Sequence, residues 1–249
     1  MLDPFLILTP VLVLAIVALL GFVGCSPTFV VLKAVGVQHV QTTISSHAPG
    51  TDTGEGTATI SADLLGLQGG ELLIATVQWQ SPQAPILTGA NWMQVTGGGP
   101  FLWNNMSILS YWATNPQAST SVSAEAILNG GSNVTWNLCV SAYSGAASAT
   151  APYSPEASDP AYTGPTPTAP AISLGPGDML YAVGFAADPD GTFPGSTSLT
   201  AGPSLTAEFP AVKNPLVEDG GSGIISAQVT SNNPSAEGFI VAMGMKGAA

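Results

Sequence analysis

From about residue 57 onward the chain repeats one rhythm: runs of four to nine residues rich in β-branched or aromatic types, separated by clusters of Gly, Pro and Asn. Short apolar runs punctuated this way are strands joined by turns, and they predict an antiparallel sandwich. Strands are expected near 57–62, 71–79, 91–96, 106–113, 120–127 and 134–143, with a second set near 170–174, 178–187, 204–209, 223–229 and 237–245. After residue 24 no helical period of comparable strength appears. The alternation is clearest in VTWNLCVSAYSG, where Trp136, Leu138, Val140 and Ala142 share one strand face and Asn137, Cys139, Ser141 and Tyr143 the other.

An internal echo organises the body. LQGGELLIATVQW, from Leu67 to Trp79, and LGPGDMLYAVGFA, from Leu174 to Ala186, both run through glycines to an acid, two apolar residues and an alternating strand, so Glu71 and Asp178 correspond. The repeat is read as two related halves, about 57–150 and 170–246, of one sandwich domain spanning 31–249. The proline-rich stretch SPEASDPAYTGPTPTAP between them reads as a surface loop.

Ahead of this body, residues 5–24 read FLILTPVLVLAIVALLGFVG, without a charge and as long as a helix that crosses a bilayer core. The full expectation is therefore an all-β, jelly-roll-like antiparallel β-sandwich preceded by one N-terminal apolar, transmembrane-type helix, with residues 1–30 as anchor and linker. Such a helix sits in lipid or packs against neighbouring subunits. Phe22-Val23-Gly24-Cys25 also has the form of a lipobox, which makes Cys25 a lipidation candidate, although the basic residues that precede such a box are missing.

Composition narrows the function classes. The chain has three lysines, no arginine, fifteen acidic residues and a net charge of −12, so no basic cluster exists to bind phosphate, and nucleic acid is not an expected partner. The 45% of apolar residues nevertheless supplies a core. Two cysteines cannot make a disulfide framework, and Cys139, with no basic neighbour in sequence, reads as an inert, semi-buried thiol.

The turn into Glu71-Leu-Leu-Ile-Ala-Thr-Val, the Asn91-Trp92 pair near a Gly cluster, the Tyr-Ser-Gly-Ala at Tyr143 to Ala146 and the closing Met245-Lys246 together resemble jelly-roll domains of bacterial surface proteins and tailed-phage structural proteins, over roughly residues 35–246. The resemblance implies a fold and a role in adhesion or assembly, and carries no site.

Chemistry is sparse. Asp188-Pro189-Asp190-Gly191 opens like a calcium loop, but no acid closes it at the spacing such loops use, and an ordinary turn accounts for the residues. Asp52, Glu55 and the Glu218-Asp219 pair before a double glycine read as solvated turn acids. His39 and His47 have no His-x-His or Cys-x-x-Cys companion, no Gly-x-Ser-x-Gly elbow occurs, and no cofactor, metal or catalytic residue is expected. Trp79, Trp92, Trp103, Trp112 and Tyr111 read mainly as core; Trp103 is the best exception, because GGGPFLWNN reads as an exposed hairpin tip, and a glycan is the ligand class it fits. These readings point to a non-enzymatic structural or assembly subunit at a cell surface or in a virion, forming homo- or hetero-oligomers, with a surface binding module as the alternative.

Overall fold

The computed structural model describes residues 36–47, 58–80, 83–103, 106–115, 117–128, 136–147, 149–158, 164–187, 198–208 and 215–248. In chain order the strands are β1 (Gln38–His47), β2 (Ala58–Leu67), β3 (Glu71–Trp79), β4 (Ile86–Thr88), β5 (Met93–Gln94), β6 (Phe101–Trp103), β7 (Met106–Asn115), β8 (Ser119–Leu128), β9 (Trp136–Ser144), β10 (Tyr153–Ala157), β11 (Ile172–Ala187), β12 (Leu199–Ala201), β13 (Thr206–Ala207), β14 (Leu216–Ile225), β15 (Val229–Ser231) and β16 (Glu237–Met245).

The expected fold class is corrected. The described residues are all-β with no helix among them, and none of their segments is a helix long and apolar enough to cross a membrane. Among the described residues the architecture is thus strands alone, with no helix leading into the sheets. The expectation of a helix rests on the length and apolarity of one segment alone, with no partner surface in the sequence to test it against. Residues 5–24 and Cys25 themselves lie outside the described residues.

Residues 36–249 form one compact unit. Its sheets run in the orders β1-β9-β3-β7-β5, with β6 also on β7; β2-β8-β4; β10-β16-β11-β14-β13; and β12-β15. The repeat in sequence is a repeat in topology, since β3 and β11, the echoed strands, occupy the same central place in the two larger sheets. Segment 165–169 also lies along β15 as β2 lies along β8, through Ser231 N to Pro165 O (2.6 Å), Val229 N to Pro167 O (3.3 Å) and Ala169 N to Ala227 O (2.9 Å). The proline-rich stretch between the halves is therefore partly strand: β10 pairs with β16.

Three apolar clusters separate four layers. One holds Leu64, Leu73, Val77, Trp136 and Leu138 between the β2-β8-β4 sheet and the β3 sheet. Another holds Leu180, Leu199, Leu216, Val229 and Ile240 between the β11 sheet and β12-β15. The central cluster joins the two large sheets face to face, with Leu72, Ile74, Ile108 and Tyr143 against Tyr181, Val183, Phe185, Phe239, Val241 and Met243. Every residue of β3 is buried, and all but the first of β16. A strand covered on both faces loses the polar side of its alternation, which is why ELLIATVQW and EGFIVAMGM read as nearly continuous apolar runs.

The echoed acids hold the turns that launch the central strands. Glu71 accepts hydrogen bonds from Gln68 N (2.6 Å), Gly69 N (2.8 Å) and Asn115 Nδ2 (2.8 Å). Asp178 accepts from Gly175 N (3.1 Å), Gly247 N (3.0 Å), the Tyr153 hydroxyl (2.8 Å) and Lys246 Nζ (3.1 Å). At this corner the two halves are stitched by backbone bonds: Val37 N to Gly177 O (2.9 Å), Ala147 N to Lys246 O (2.8 Å) and Ala248 N to Gly145 O (2.8 Å). Gly145 has a positive φ of 69°, and a Cβ there would collide with the Gly36 carbonyl, so both the turn and the close approach require glycine.

Candidate functional site

The one cluster of potential ligand groups among the described residues lies on the seam between the large sheets, and a bulge in β1 builds it. His39 stands opposite Tyr143 and Gln41 opposite Ala142, so one extra residue, Val40, is inserted between them. A bulge re-aims the side chains beside it. Here it places His39 and Thr42 on the same face, the face of Ser141 and Tyr143, and His39 Nε2 meets Thr42 Oγ1 at 2.8 Å. Thr42 Oγ1 in turn lies 2.7 Å from Ser141 Oγ. With Nε2 tied to Thr42, the imidazole is held with Nδ1 turned across the seam.

Two carboxyl groups of the other half meet it there. Asp219, in β14, stands opposite Tyr181, and Glu208 follows β13 with its amide donating to Val217 O (3.0 Å). Val217 belongs to the central cluster, so Asp219, two residues on, faces the same seam. His39 Nδ1 is paired with Glu208 Oε2, and Glu208 is hydrogen-bonded to Asp219. One ligand atom from each of the three residues fits within 4.8 Å of the others.

Electrostatics at this point are unequal. Burial pushes the Asp219 carboxyl well above the usual carboxylate range, and the hydrogen bond and negative charge of Glu208, with the charge of Glu218, add to the shift. At Glu208 burial acts in the same direction, but the bonds from His39 and Asp219 outweigh it and hold that carboxyl low. Tyr143 is fully buried, packs edge-on to His39 with ring centroids 5.5 Å apart, and has its phenol raised by burial and then by Asp219. Its hydroxyl has no hydrogen-bond partner; Ser141 Oγ, two residues back, favours the ionised phenol but makes no bond of ordinary geometry with it. Asp219 Oδ2 is likewise buried without a partner.

The residues singled out from sequence fare differently. Trp103 ends β6 opposite Met106, so its backbone is at a hairpin end as expected. Asp188, Asp190, Asp52 and Glu55 lie outside the described residues, and His47 ends β1 opposite Trp136. Cys139 is completely buried in the central cluster, where burial pushes its thiol far up. Trp79, Trp112 and Trp136 are core, and Trp92 donates from Nε1 to Thr88 O (3.0 Å).

Glu218 and Asp219 require correction. They are not solvated turn acids but buried positions inside β14, at 0% and 6% exposure. The double glycine after them is strand, too, because β14 packs closely there: a Cβ on Gly220 would stand 2.6 Å from Leu205 Cδ2. Glu218 points away from the seam, accepts from Gly202 N (3.0 Å), and burial lifts it to about 8. No local spacing links His39 to Glu208 and Asp219. The one sequence sign was a pair of acids directly after Leu216 and Val217, in an apolar context.

No family model, curated protein or solved structure matches the chain.

Proposed function

We propose that this protein is a non-enzymatic building block of an extracytoplasmic or virion assembly, packing against copies of itself or other subunits through sheet faces and edges. The observation that carries this reading is the central seam. A two-layer module is seated sheet to sheet on its own topological twin, so the module already has a surface chemistry suited to association with its like. The outer surface fits the same role. Leu65, Ile86, Leu102 and Ile224 stand exposed on four different strands, apolar contacts that a neighbour can cover. Sedimentation velocity on residues 36–249 over a wide concentration range is the direct test: concentration-dependent oligomers are expected, and a strict monomer throughout sinks the reading.

The second reading, a surface module that binds glycans, rests on Trp103 at the end of the β6–β7 hairpin. Glycan-array binding that disappears in Trp103→Ala supports it, and an array without hits removes it.

A further inference from the structure

We propose that His39, Glu208 and Asp219 bind a divalent transition-metal cation of the zinc class, which clamps the two halves of the molecule across their seam. The donor set is one imidazole nitrogen and two carboxylates, a mixture that zinc accepts and that an all-oxygen calcium or magnesium site would not use. The groups come from both halves, His39 from β1 and the acids from β13–β14, with ligand atoms already gathered within 4.8 Å. Zinc–ligand bonds of about 2.0–2.2 Å require ligand atoms roughly 3 to 3.5 Å apart, so the direct His39–Glu208 contact would open to admit the ion while the wider separations close in.

Three further features favour a cation over a plain ion pair. His39 has its far nitrogen fixed by Thr42, which is itself tied to Ser141, the outer-shell arrangement that orients a metal-binding imidazole. Two carboxyl groups in contact at a buried seam need a positive centre between them or a shared proton. A shared proton joins only the atoms that face each other, and it leaves Asp219 Oδ2 and the fully buried Tyr143 hydroxyl without partners. Buried orphans of this kind point to an absent group. A cation on Asp219, completing its shell with water, gives both a partner. One dipositive ion also balances the charges of Glu208 and Asp219 outright.

The test uses the tag-free full-length chain, stripped with EDTA and titrated with zinc chloride. Equilibrium dialysis with metal analysis is expected to give one tight equivalent per chain and a raised Tm. His39→Gln and Asp219→Asn each lose about 100-fold or more in affinity, and Thr42→Val loses about tenfold, as outer-shell changes do. Asp190→Asn, which alters the acidic pair that resembles a calcium-loop opening in sequence, binds like the parent. Absence of a stoichiometric site in the parent, or unchanged affinity in both ligand variants, overturns the proposal. Should a variant fail to fold, anomalous scattering at the zinc edge from crystals of the parent protein decides: a peak between His39 and Asp219 supports the site, and a peak elsewhere or none refutes it.

Discussion

At the scale of single residues, Asp178 shows how little charge the molecule carries and how fully it is used. Burial opposes its ionisation, but the Gly247 amide, the Tyr153 hydroxyl, Lys246 and the Gly175 amide together bring it from an ordinary 3.8 down to about 2. Because the folded value lies below the unfolded one, its contribution is complete above about pH 4 and is lost as pH falls towards 2. The depression corresponds to on the order of 2 kcal/mol. Urea unfolding at pH 7 is expected to show Asp178→Asn less stable by about that amount, with the gap to the parent closing as pH drops to 2. A gap that stays constant with pH contradicts the linkage. Glu71 acts in the same sense: burial raises it, but Asn115 and the turn amides outweigh burial and leave it below its ordinary value.

At the scale of elements, β14 and β11 show why close packing and not turn chemistry governs the second half. Gly220 lies opposite Leu180 with Leu205 against the site of its missing side chain, so Gly220→Val is expected to cost about 1–3 kcal/mol by overpacking. Phe185, fully buried in the central cluster, is a large-to-small case, and Phe185→Ala should cost about 3–5 kcal/mol in urea melts. β9 gives a chemical check on the same layer. Cys139 in residues 36–249 should resist a thiol reagent in the native protein and react at once in denaturant; rapid native labelling means the seam opens readily.

At the scale of the whole molecule, the central seam is what makes residues 36–249 one unit. Each half has its own inner core, but the face that carries Tyr181, Val183, Phe185, Phe239, Val241 and Met243 is buried only because the other half covers it. Expressed alone, residues 150–248 should associate or bind a hydrophobic dye strongly, since so large an apolar patch is not left open in a soluble monomer. Co-expression with residues 36–147 should restore a dye-silent heterodimer. A half that is monomeric and dye-silent by itself shows that the seam is dispensable. The Tyr181 hydroxyl, 3.0 Å from Thr76 Oγ1 across the seam, adds one polar tie to this apolar contact.

The all-β class, the strands at 71–79 and 237–245 and the correspondence of Glu71 with Asp178 were legible because each is written in neighbouring residues: alternation, turn glycines and a local echo. The two faces of β9 were also legible, but that both are buried was not, since burial depends on what lies across from a strand. The short edge strands β4, β10 and β12 escaped because only three backbone pairs each, with a partner far along the chain, define them. The cluster of His39 with Glu208 and Asp219 escaped for the same reason on a larger scale. Sequence settles which residues alternate and where the chain turns. Only the tertiary structure, by stacking one half on its twin, decides which polar groups are taken out of water and left facing each other.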